Sequence, residues 1–173
     1  MKIIFLDFDG VLNDSSFILN QRKLKGMKGM MKDEDWLNPV MIGRLNSIII
    51  ATDAKVVISS DWRLDGPIEY HSKLLKSLGF AGEIINQTPV IPDQSRSEEI
   101  QMWLHYSKEI DDEVESFVVL DDDDNIHNCS GVFFTTPIKD RHVLTSMWSG
   151  LEDVHVAQAI EILNMPWIPN ILI

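Results

Sequence analysis

The chain has 173 residues, 45% hydrophobic and 24% charged, which suits one soluble globular domain with a core of its own. A net charge of −12 excludes a broad basic face for DNA or anionic lipid, while leaving room for a local basic patch. A single cysteine, Cys129, excludes an internal disulfide, and no apolar run approaches the ~20 residues that cross a bilayer.

In chain order, Lys2–Leu6 is an apolar run that breaks at Asp7, which is too early for the apolar stretch of a signal peptide. A cytoplasmic protein is expected. The run reads as a buried strand meeting a polar loop. Residues 13–36 show no clear period and carry Gly26 and Gly29, so they read as a small irregular insertion. Asn38-Pro39 has the form of an N-cap followed by proline in the first helical turn, and Val40, Met41, Leu45, Ile48 and Ile49 recur at helical spacing. Ala54–Ser59 predicts a second strand, Ile68–Leu78 a helix ended by Gly79, and Glu83–Asn86 a short third strand. Ser95-Arg96-Ser97-Glu98 has capping-box form and opens a helix whose inner face carries Ile100, Trp103 and Leu104. Ser116–Leu120 predicts a strand ending in four aspartates, Gly131–Thr136 a fifth strand, and Leu151–Leu163 a last helix with Val154, Ala157, Ile160 and Leu163 inward.

Strands alternating with helices imply βα units, hence a mainly parallel sheet covered on both faces: a Rossmann-like α/β three-layer sandwich, one domain over residues 1–173. Ligands bind beyond the carboxyl ends of the strands in such sheets. Asp7, Ser59 and Asp121 each stand where an apolar strand runs out, so they converge on one crevice. Carboxylates brought together there are costly, and a hard cation such as magnesium relieves that cost. An aspartate at a strand tip can attack phosphorus and form an aspartyl-phosphate. A second acid two residues on, Asp9, can protonate the leaving oxygen and then deprotonate the water that cleaves the intermediate. Gly10 lets the backbone turn sharply away from the metal.

Asp7-Phe8-Asp9-Gly10-Val11 resembles the first motif of the haloacid dehalogenase (HAD) superfamily. Val56-Val57-Ile58-Ser59 is similar to its second motif, and Val118-Val119-Leu120-Asp121-Asp122 to its fourth, in the right order. The resemblance implies a magnesium-dependent phosphatase with Asp7 as nucleophile and metal ligand. Asp9 would be the general acid/base, with its carbonyl on the metal, and Asp121 and Asp122 would complete the metal shell. Ser59, with Ser60 as neighbour or substitute, would hold the phosphoryl group together with Gly10. The family's third motif is a cation at a helix start, for which Arg96 is the choice; an arginine fork can hold two phosphate oxygens at once. The stretch from Asn38 to Arg63, with Ser59-Ser60-Asp61-Trp62-Arg63 at its end, looks like the compact HAD domain of the Swiss Army knife RNA-repair proteins. Trp62 is expected in core packing, and Arg63 as either a substrate contact or a strut pairing with an acid.

The interval between the first two motifs is too short for a full cap domain, and an open site suits a bulky substrate such as a polynucleotide end. Arg22, Lys23 and Lys25 lie in the one concentrated basic segment, Gln21–Lys28, and are candidate contacts to a phosphate backbone. The expected partner is a phosphorylated substrate, an RNA or DNA end or a nucleotide, with no membrane and no obligate protein partner. A small-metabolite phosphatase and a non-catalytic magnesium-binding module are the alternatives. The five histidines lack metal-ligand spacing, and Cys129 is expected to be buried.

Overall fold

The computed structural model describes residues 1–25, 31–107, 113–126 and 138–168. Among these, β1 (Lys2–Leu6), β2 (Lys55–Ile58), β3 (Ile84–Gln87), β4 (Ser116–Asp121) and β5 (His142–Leu144) form one parallel sheet in the order β3-β2-β1-β4-β5. Both faces of the central strands are apolar because both are covered. Ile4, Leu6, Val56, Ile58, Val118 and Leu120 meet α2 (Pro39–Thr52), α3 (Ile68–Ser77) and α5 (Asp153–Asn164), whereas Ile3, Phe5, Val57, Phe117 and Val119 meet α4 (Arg96–Tyr106). The chain steps outward from β1 to β3, then returns past β1 to β4. Right-handed crossovers therefore put α4 on the face opposite α2 and α3.

Local chemistry sets the helix starts. Asn38 Oδ1 accepts from Val40 N–H at 3.0 Å with Pro39 behind it, and Glu98 Oε2 accepts from Ser95 N–H at 2.8 Å. The second bond fixes Arg96 as the first residue of α4.

Several expectations change. The segment read as irregular contains α1 (Ser15–Lys25), capped by Asp14 Oδ1 on Phe17 N–H, and a short 3-10 turn at Asp33–Trp36. No residue of α1 is buried, so no hydrophobic period marks it. The buried face of α5 carries Ala159 and Leu163 with Val156 and Ile160 packed against the core, while Val154 and Ala157 are exposed. In α2 the face is Met41, Ile42, Leu45 and Ile48, and Val40 is exposed. The expected strand Gly131–Thr136 and Cys129 lie outside the described residues.

Candidate active site

The register Leu6↔Ile58 and Leu6↔Leu120 sets the tips of β1, β2 and β4 level. Ser59 N–H donates to the Leu6 carbonyl and Asp7 N–H to that of Leu120, both at 3.0 Å, so backbone bonds run to the end of each strand. Here, between β1 and β4, the sheet changes winding direction, the position at which α/β sheets open a crevice. A cavity of about 570 Å3 lies at this point, lined in part by Asp7, Asp9, Ser60, Arg96 and Asp122.

Carboxylate oxygens of Asp7, Asp121 and Asp122 all lie within 4.8 Å of one another. Arg96, projecting from the first turn of α4, places Nη1 2.9 Å from Asp7 Oδ2 and 2.7 Å from Asp121 Oδ2. Burial, and then the charge of Asp121, push Asp7 up to about 6, against the pull of Arg96 and hydrogen bonds from Ser60 and the Phe8 N–H. Asp121 is also raised by burial, and Asp122 by burial and then by Asp7. Burial opposes the charge of Arg96, but Asp7 and Asp121 outweigh it and hold the guanidinium above its ordinary value. One arginine thus faces three carboxylates, and negative charge is in excess.

Asp9 is held differently. Its Oδ1 accepts from Asn13 Nδ2 at 2.7 Å and its Oδ2 from the Trp62 indole N–H at 3.0 Å. Gly10, expected beside phosphate, donates its N–H to Asn13 Oδ1 at 2.9 Å. Its φ is +68°, and a Cβ there would meet Asp122 Oδ2 at 2.3 Å. Glycine is required both by the turn and by the carboxylate resting on it.

The family model for the HAD domain in Swiss Army Knife RNA repair proteins matches residues 3–156 of the chain. The chain belongs to this family. No curated protein and no solved structure gives a match. Membership of the HAD family points to a phosphatase-type hydrolase, and the buried aspartate cluster fits metal binding. All the donors of that cluster are hard oxygens whose charge Arg96 offsets only in part, the chemistry that suits magnesium, calcium or manganese rather than a soft metal. No described helix of this HAD domain is long and apolar enough to cross a membrane.

Of the two serines, Ser60 lines the cavity; Ser59 is fully buried and its Oγ has no hydrogen-bond partner among the described residues. Asp121 is fully buried against Arg96, while Asp122 lines the cavity. Arg63 lines it too, but its guanidinium is a strut. Nη1 donates to the Ser59 and Ser60 carbonyls at 2.9 and 2.8 Å, and Nη2 to Glu99 Oε2 at 2.5 Å. Arg22, Lys23 and Lys25 occupy the last turn of α1 and are not among the cavity-lining residues; Arg22 lies 5.1 Å over the Trp36 ring, and Lys25 pairs with Asp35. Sequence reasoning missed Asn13, whose signal was an amide four residues after Asp9. It also missed the apolar lining residues Leu64, at the end of a short 3-10 turn, and Val90 and Ile91, in a loop, segments too short or irregular to show a period.

Proposed function

We propose that this HAD domain is a magnesium-dependent phosphomonoester hydrolase acting on nucleic-acid ends or nucleotides. The observation that carries the reading is the pairing of Asp7 with Arg96 at the tip of β1, with Asp9 on the same cavity. Asp7 Oδ2 is the attacking oxygen, and the Arg96 guanidinium holds the phosphoryl oxygens that replace its present carboxylate partners. As the new Asp7–phosphorus bond forms, the ester P–O bond breaks and the Asp9 proton passes to the leaving oxygen. Asp9, now ionised, takes a proton from water; the water oxygen attacks phosphorus, the Asp7–phosphorus bond breaks, and inorganic phosphate leaves. Ser60 holds a phosphoryl oxygen from the β2 side. The carboxylates of Asp7, Asp121 and Asp122 and the Asp9 carbonyl are the residues that would hold magnesium, which when bound offsets phosphoryl charge.

The family's description supports a nucleic-acid substrate. Because Arg22, Lys23 and Lys25 do not line the cavity, they can serve only a substrate that extends beyond it. The test is phosphate release with magnesium from 3′- and 5′-phosphorylated oligonucleotides, mononucleotides and an aryl phosphate, beside Asp7→Asn. Turnover by wild type alone is expected. Turnover that survives in Asp7→Asn would refute the nucleophile, and a flat salt response on oligonucleotides would remove α1 from substrate binding.

A further inference from the structure

Trp62 is the second residue of the 3-10 turn Asp61–Leu64 that follows β2. It is half-buried, with its ring 5.4 Å from that of Phe8, the residue between Asp7 and Asp9. Packing alone would satisfy a tryptophan here. The indole N–H, however, is directed at a carboxylate rather than at solvent, and reaches Asp9 Oδ2 at 3.0 Å. The other oxygen takes the Asn13 amide at 2.7 Å, and Asn13 is itself fixed by the Gly10 N–H on its own oxygen. Each carboxylate oxygen accepts one fixed donor and keeps a lone-pair direction free. Two donors on two oxygens set both the rotamer and the plane of the carboxyl group.

The turn that presents Trp62 is itself immobilised. Trp62 N–H donates to Ser60 Oγ at 3.4 Å, and the buried Arg63 guanidinium ties the Ser59 and Ser60 carbonyls to Glu99 of α4. The donor is therefore anchored to the same two elements, β2 and α4, that carry Ser60 and Arg96.

We propose that Trp62, with Asn13, is a positioning residue that aims the Asp9 carboxyl at the leaving oxygen. The proposal rests on the function proposed above, in which Asp9 is the general acid. Misaiming an acid harms departure of a poor leaving group and matters little to a good one, because a stable anion departs without a proton. A merely structural role would slow both alike.

The experiment measures single-turnover release of the leaving group, with magnesium, from an alkyl phosphate and from dinitrophenyl phosphate. Wild type, Trp62→Phe, Asp9→Asn and the double variant are compared. Phenylalanine keeps an aromatic ring against Phe8 and deletes the N–H donor with the rest of the second indole ring, a loss of packing that slows both esters alike. Trp62→Phe is expected to slow the alkyl ester by about 10- to 100-fold and the dinitrophenyl ester at least about ten times less than that. In the Asp9→Asn background the same change should cost less than about 2-fold, since both act through one proton. Equal losses on the two esters, no loss on either, or a full further loss in the Asp9→Asn background would overturn the proposal. An Asp9→Asn variant that spares the alkyl ester would instead sink the reading of Asp9 as acid, and the positioning role with it.

Discussion

Gly10→Ala perturbs the site through one methyl group, and its two effects separate. The first is backbone strain: at φ +68° an L residue costs about 1–2 kcal/mol more than glycine. The second is displacement. The new Cβ would lie 2.3 Å from Asp122 Oδ2 and 2.7 Å from its Cβ, so the Asp122 side chain must retreat by about 1 Å to reach ordinary contact distance. The retreat must take the Asp122 backbone with it, since its Cβ is among the atoms met, so stability without metal should fall by more than the strain alone. It also breaks up the cluster of oxygens lying within 4.8 Å, so magnesium affinity should fall by about tenfold or more. Gly79→Ala is the control, because Gly79 has φ +93° and an added methyl there would meet nothing within 4 Å. It should show a smaller loss of stability, that of the strain alone, and unchanged magnesium affinity. Urea unfolding without metal and calorimetric magnesium titration read the two effects separately. Wild-type magnesium affinity in Gly10→Ala, or an equal loss of affinity in Gly79→Ala, would refute the assignment of Asp122 to the metal cluster.

Burial and backbone geometry give two further expected outcomes. Glu99→Gln leaves the buried Arg63 charge with only the exposed Asp61 as partner and should lower the unfolding free energy by about 3 kcal/mol in urea; a loss under about 1 kcal/mol would mean that the pair is not desolvated as its side-chain exposures of 2% and 7% require. Gly43→Ala, in the exposed middle of α2 with open space around the added methyl, should raise stability by about 0.5–1 kcal/mol, and a decrease would show that the helix there is not regular.

The parts of the fold that could be read from the sequence are those whose burial leaves a pattern. β1, β2 and β4 are covered on both faces and appear as unbroken apolar runs; α4 has its capping residues and the apolar set Ile100, Trp103 and Leu104, although Glu99 and Gln101 are buried beside them. β5 is three residues long at the sheet edge, with only its middle residue buried, so nothing distinguishes it from loop. In α5 positions 159 and 163 are buried with 156, 160 and 162 partly so, whereas apolar residues continue onto the exposed side at 154 and 157. Composition there permits two faces, and only docking on the sheet selects one.

The site divides along the same line, between what chemistry requires and what packing decides. Clustered carboxylates need a cation, and the resemblance to the HAD motifs asks for a cation at a helix start, so the acids and Arg96 could be named as candidates before their geometry was known. Which serine turns toward the cavity depends on where β2 ends. Ser59 continues the strand's inward alternation, while Ser60 begins the next turn and reaches Asp7. Arg63 presented two chemically equivalent uses, and burial against Glu99 decides for the strut. Trp62 is the sharper case, because an aromatic at that spacing is accounted for by core packing and the ring does pack on Phe8. Its polar edge is invisible in any hydrophobic pattern, yet that edge is the part that touches Asp9. A half-buried tryptophan supplies a rigid apolar body and a single fixed donor at once.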